Sequence, residues 1–235
     1  AIEVFDGATT IEVGSTNDEV RLLAESGAPD RTVVTAKAQT SGRGRRGRTW
    51  LSPEGNLYLS ILLRPHRPVR EASLLSFVAA LGLSDSLSRF VAPERVNHKW
   101  PNDIIVDGRK VAGLLLESSG HGDSVDWVIV GCGINIAHHP EDAAYPAIDL
   151  DVASGTRNAV SDVLQAFLAS FEHWYSRWLS EGAEPIQEAW LARAHGIGKA
   201  IVVRLPNREL HGIFEGLDAA GALRLALPDG RCELI

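Results

Sequence analysis

Apolar residues recur along this 235-residue chain in two rhythms. Short β-branched runs bounded by Gly, Pro, Asp or Asn predict strands at 2–5, 11–13, 32–37, 57–63, 96–99, 104–106, 109–118 and 127–136. Asp107-Gly108 is a type I′ hairpin signal between two of them. Helical spacing predicts a helix ending near Ser26 and a long amphipathic helix over 70–90 that carries Leu74, Phe77, Val78 and Leu81. A third helix over 161–181 carries Val163, Phe167, Phe171, Trp174 and Trp178 as a core-facing stripe, and Pro185 opens a fourth, reaching about Ala194. Thr16 and Glu19 match a capping box at the start of the first helix. Residues 38–56 and 137–158 read as irregular, and a loop as long as the first inside a compact domain points to function. From Gly196 the rhythm becomes an all-β meander, with strands at 200–205, 209–217, 223–227 and 231–235. That pattern predicts a small barrel, completed by one more strand past Ile235. The expected organisation is a main domain over 1–195 and a C-terminal domain over 196–235.

Composition narrows the function classes. Hydrophobic residues at 45% and charged residues at 23% describe a folded domain rather than a disordered chain. No apolar run approaches the roughly 18 residues of a membrane helix. The opening AIEVFDGATT lacks the basic and apolar regions of a secretory signal, so no membrane partner and a cytoplasmic location are expected. Cys132 and Cys232 lie far apart without partners at metal-ligand spacing, so no protein metal site is expected. The formal charge of −7 disfavours polyanionic partners such as nucleic acid. One segment runs against it: residues 42–48 hold four arginines and no acid.

Four segments carry candidate chemistry. In Gln39-Thr40-Ser41-Gly42-Arg43-Gly44-Arg45-Arg46-Gly47-Arg48-Thr49-Trp50, glycines free the backbone to approach a ligand and arginine forks suit carboxylate or phosphate oxygens. The Walker ending is absent, and a solvated basic loop or a nucleic-acid contact remains open. Lys99-Trp100-Pro101-Asn102-Asp103 lies across the predicted hairpin from Lys110-Val111-Ala112-Gly113, so Lys110 can meet the first segment around one pocket. A lysine leading into a buried strand is also commonly an edge residue that snorkels to water. Gly131-Cys132-Gly133-Ile134-Asn135 could let backbone and amide approach a ligand, or mark a tight strand end. Ser15-Thr16-Asn17 is either a helix cap or part of a pocket.

Taken in this order, these segments resemble the biotin protein ligase family, in the form without an N-terminal DNA-binding repressor domain. The similarity runs from about Gly14 through the C-terminal meander. It implies an α+β fold: a catalytic domain like class II aminoacyl-tRNA synthetases, with a mixed, largely antiparallel sheet and helices on one side, followed by an SH3-like barrel. It implies ATP with Mg²⁺, biotin as substrate and a biotin carboxyl carrier protein as acceptor. By this resemblance Ser15, Thr16, Asn17, Gln39, Gly42, Arg43, Gly44, Arg45, Lys110 and Gly113 would contact biotin. Arg43, Arg45, Arg46, Arg48, Trp50, Asn102, Lys110 and Asn135 would line the nucleotide, with Trp50 beside adenine. Lys110 and Arg45 would be catalytic, and Asp103 is a candidate base or a structural partner. Lipoate attachment on the same kind of fold and a non-enzymatic nucleic-acid binder are the rival readings. A homodimer through an edge strand stays open.

Overall fold

The computed structural model describes residues 3–4 and 10–235, with side chains from Glu12 onward. The ends of the expected strand at 2–5 lie outside the described residues. Eight strands form the main sheet: β1 (Glu3–Val4), β2 (Thr10–Val13), β3 (Thr32–Gln39), β4 (Leu57–Leu63), β5 (Val96–Lys99), β6 (Asp103–Val106), β7 (Arg109–His121) and β8 (Ser124–Ile134). Their order is β1-β3-β4-β8-β7-β6-β5, and β2 also pairs with β3. β1 and β2 run parallel to β3, and every other pairing is antiparallel. Asp107 and Gly108 have φ of 49° and 73°, the two left-handed residues that a type I′ hairpin requires.

Period-two alternation sorts the strands into two faces. Leu57, Leu59, Ile61 and Leu63 of β4 and Val128, Val130, Cys132 and Ile134 of β8 enter the main core. That core is covered by α3 (Leu75–Leu87), α5 (Val160–Glu181) and α6 (Glu184–Leu191). Leu62 and Ile129 point the other way, into a smaller cluster with Val20 and Ala24 of α1 (Thr16–Glu25). Helices therefore cover both faces, which corrects the expectation of helices on one side. The face under α1 also carries Ser60, Gly131 and Gly133, and it is the face of the site.

Three further expectations change. The helix over 70–90 is two pieces, α2 (Val69–Ala72) and α3, and α3 is buried on nearly every side instead of amphipathic. It lies between the sheet and α5 and α6, so it has no solvent face to display. The irregular stretch 137–158 contains α4 (Leu150–Ser154), capped by the Asp149 carboxylate accepting from Val152 N–H. The capping box does not form. Ser15 is the N-cap, without a side-chain cap bond, and Thr16 N–H donates instead to Gln39 Oε1 at the end of β3, 2.9 Å away.

The C-terminal strands β9 (Ala200–Arg204), β10 (Glu209–Leu217), β11 (Leu223–Ala226) and β12 (Cys232–Leu234) form an antiparallel sheet in the order β12-β11-β10-β9. Val203, Phe214, Leu223 and Leu225 join the main core, so one apolar interior runs under both sheets. No helix among the described residues is long and apolar enough to cross a membrane.

Candidate active site

The site begins with three glycines. Gly113 of β7 pairs with Gly133 of β8, and Gly131 pairs with Ser60 of β4. A Cβ at Gly131 would stand 2.2 Å from Asn17 Oδ1, and one at Gly133 would stand 2.6 Å from Trp50 Nε1. The glycines are thus seats for two side chains, Asn17 and Trp50. Trp50 also reaches within 3.1 Å of a Cβ at Gly113, and its buried indole N–H has no acceptor among the described residues.

At one end of this floor stands a neutral polar cluster. Ser60, fully buried, lies 2.7 Å from Thr16 Oγ1 and 2.6 Å from Asn17 Oδ1. Gln39 accepts from Thr16 and donates Nε2–H to Ser52 Oγ at 3.0 Å. Ser15, Thr16 and Asn17 are all buried, although each is polar. At the other end stands Lys110. Residues Ile104↔Ala112 and Ile105↔Lys110 pair across the β6–β7 hairpin, so Val111 is an extra, bulged residue. Val111 and Ala112 both enter the core, which turns Lys110 onto the Gly113 face. Without the bulge, alternation would give Lys110 the face that Ala112 occupies. Lys110 Nζ lies 2.6 Å from Asp103 Oδ1 and 5.1 Å from the Trp50 ring centre. Lys99 Nζ is 3.9 Å from the other Asp103 oxygen and 4.5 Å from the Tyr145 ring centre. Burial pushes the Lys99 ammonium below its ordinary pKa; Asp103 opposes this, while Lys110, Arg204 and Arg48 reinforce it. One carboxylate thus faces several cations, a balance that favours an incoming anion.

The arginine loop is a small hairpin. Trp50 N–H donates to Gly42 O at 2.9 Å, Arg43 bridges Thr49, and Gly44 N–H donates to Arg48 O at 2.7 Å. Arg43 turns back to α1 and grips both Asp18 oxygens at 2.6 Å. Arg46 donates to Arg204 O of β9 at 3.2 Å, tying the loop to the C-terminal sheet. Arg45 lines a cleft of about 260 Å³ with Asn102, Phe77, Trp100 and Gly221. Arg48 is exposed. Asn102 donates to Leu114 O and Asn135 to Ile148 O, so both amides brace backbone.

A sequence profile of the Biotin/lipoate A/B protein ligase family matches residues 11–135, and one of the Biotin protein ligase C terminal domain matches residues 196–234. The chain belongs to the biotin/lipoate A/B protein ligase family. This ligase is 43% identical, over 92% of each chain, to the biotin–[acetyl-CoA-carboxylase] ligase of Paracoccus denitrificans. Its structure matches the Aquifex aeolicus biotin protein ligase in complex with biotin and ATP, with a TM-score of 0.81 and 29% identity over 95% of this chain and 92% of that one. The Leishmania major biotin protein ligase in complex with biotinyl-5-AMP matches with a TM-score of 0.71 and 26% identity, over 95% and 96% of the two chains. The α+β class read from the ligase sequence holds, and the solved neighbours are biotin protein ligases.

Sequence reasoning passed over several of this ligase's site residues. Ser60 is the polar residue inside the apolar run Leu57–Leu63, and a polar residue in a buried strand is a signal in itself. Glu117 follows Gly113 by four positions on β7, which strand alternation puts on the same face. Asp18 and Tyr145 gave no such signal. Among the described residues no group of three or more His, Cys, Asp or Glu side chains could hold a metal. The implied Mg²⁺ therefore fits as an ion carried on nucleotide phosphates, an arrangement that needs few protein carboxylates.

Proposed function

We propose that this ligase activates biotin as biotinyl-5′-AMP and transfers the biotinyl group to a lysine of a biotin carboxyl carrier protein. The observation that carries the reading is the polarity of one sheet face. The neutral cluster over Gly131 and the ammonium beside Gly113 and Gly133 are about two strand residues apart, on the order of 7 Å. That spacing suits a ligand with a neutral hydrogen-bonding head, a short apolar chain and a carboxylate. The ureido ring would lie against Ser15, Thr16, Asn17, Gln39 and Ser60, and the carboxylate would reach Lys110. The Paracoccus relative and the biotin- and ATP-bound neighbours support the same assignment.

In the first step a biotin carboxylate oxygen attacks the α-phosphorus of ATP, and the bond to the β-phosphate oxygen breaks, releasing pyrophosphate. The obstacle is an anion approaching a polyanion. Lys110, Lys99, Arg45 and Arg48 reduce that repulsion and stabilise the charge that develops. In the second step the carrier lysine amine attacks the acyl carbon, and AMP departs with the electrons of the broken C–O bond. Asp103, already gripped by Lys110, serves to orient that ammonium, and the proton lost by the attacking amine is taken up by the departing AMP phosphate. Closing the 42–48 hairpin over the adenylate would keep water from the mixed anhydride until a carrier docks.

The direct test is biotin-dependent ATP–pyrophosphate exchange with lipoate as control. Exchange with biotin alone, followed by a mass increase on a carrier protein, is expected; exchange with lipoate in place of biotin would overturn the assignment. We also read the chain as a ligase without repressor activity, because its one basic segment sits in a net acidic chain and is folded into the site. Filter binding should show no salt-dependent affinity for duplex DNA, and such affinity would reverse this reading.

A further inference from the structure

One carboxylate in the site takes no part in the steps above. Glu117 lies on the Gly113 face of β7, with its side chain 25% exposed. Its Oε2 accepts from Asn17 Nδ2 at 2.8 Å and lies 3.1 Å from the Arg21 guanidinium. Arg43 reaches both Glu117 oxygens, at 3.4 and 3.5 Å, while holding Asp18. Glu117 therefore touches both the pocket wall and the base of the arginine hairpin. The hydrogen bond from Arg43 draws the Asp18 carboxyl below its ordinary pKa, and that bond, with Glu117 adding its charge, raises Arg43 above its own.

We propose that Glu117 is the positioning residue of the biotin site: its carboxylate fixes the direction of the hydrogen bonds along the pocket wall. The inference rests on the biotin-ligase reading above. A carboxylate only accepts, so Asn17 must turn Nδ2 toward Glu117 and Oδ1 toward Ser60. Ser60 has one proton, and Asn17 Oδ1 can only accept it, across 2.6 Å. The 2.7 Å contact between Ser60 and Thr16 Oγ1 is then open to the Thr16 proton, for which Gln39 Oε1, at 3.3 Å, is the more distant competing acceptor. The Asn17 amide and the Ser60 hydroxyl thus each have one orientation, set from the Glu117 end. A neutral amide at 117 could donate or accept, so Asn17 could turn over and the hydroxyl protons could reverse with it. Arg43 would keep its two 2.6 Å bonds to Asp18, so the hairpin base stays in place.

The test is Glu117→Gln in the full chain, a substitution of equal size at a partly exposed position. Binding of biotin without ATP is measured by calorimetry, and exchange kinetics are measured at saturating ATP. The biotin Kd and KM should rise about tenfold, as expected for losing one charge-assisted hydrogen bond. The KM for ATP and the thermal midpoint should stay near their wild-type values, which separates positioning from a general loss of structure. In an Asn17→Ala background the same substitution should lose most of its effect on Kd, because its route to biotin has been removed. Wild-type Kd and KM in Glu117→Gln, or full additivity with Asn17→Ala, would overturn the proposal. A wild-type chain that binds no biotin would instead overturn the underlying functional reading.

Discussion

Lys110→Ala should lower biotin-dependent ATP–pyrophosphate exchange by about 10²–10³-fold while leaving the thermal midpoint nearly unchanged. That is the usual cost of removing one preorganised group that stabilises developing charge. Lys110 is the cation the β7 bulge turns onto the glycine floor, beside Gly113 and over Trp50. Its own backbone is fixed independently of its charge: Lys110 N–H donates to Pro146 O at 2.7 Å, and Lys110 O accepts from Ile148 N–H at 2.9 Å. Removing the side chain therefore leaves the strand in place. It does strip Asp103 of its 2.6 Å partner, leaving Lys99 at 3.9 Å as compensation. The loss should fall on kcat more than on the biotin KM, since the neutral cluster that would bind the ureido ring is untouched. Arg45→Ala should show the same sign, because Arg45 carries the hairpin's charge into the cleft beside Asn102. Normal exchange in both variants would remove the electrostatic account.

Gly133→Ala should reduce kcat/KM by about 10²-fold without destabilising the protein. The new Cβ would lie 2.6 Å, 2.7 Å and 2.9 Å from three atoms of the Trp50 indole. Ordinary contact requires the ring to retreat by about 1 Å, and a displacement of that size in a positioning group is enough for such a loss. Trp50 carries the movement further, because it also rests on Gly113 and faces Lys110. The strand itself accepts alanine, since Gly133 has ordinary strand geometry and glycine is the weaker strand former. Urea denaturation should therefore give a midpoint equal to wild type or slightly above it. A variant with full activity would show that the indole need not stand where the structure puts it.

Both predictions concern residues that stood out in the sequence, but for reasons the sequence could not supply. Gly131 and Gly133 suggested close approach, and the approaching groups turned out to be Asn17 and Trp50 from distant segments. Lys110 suggested a pocket with Asp103 because Asp107-Gly108 folds the two strands together, and the 2.6 Å pair is there. Arg43 read simply as one of four loop arginines, yet it is bound to Asp18 and reaches Glu117, carboxylates carried on a helix and a central strand. The long amphipathic helix over 70–90 failed because α3 is buried on nearly every side, its Ser84 and Ser86 included, so its spacing marks no solvent face, and the break after Ala72 left no trace in it.

The sequence by itself determined the elements that local chemistry controls. β4 and β10 have the expected limits, the hairpin at Asp107-Gly108 has the expected twist, and α5 carries its apolar stripe into the core. It also determined the set of charges, with four arginines in one glycine-rich loop. Only the tertiary structure decided which way those groups face. The Val111 bulge arises from pairing two strands, and it reverses the side of the sheet on which Lys110 emerges. Gln39 satisfies the start of α1 in place of a local capping box, and Glu117 directs Asn17 from another strand. Side-chain alternation is a property of one strand, but register, bulges and hydrogen-bond direction belong to pairs of segments that meet only when the chain has folded.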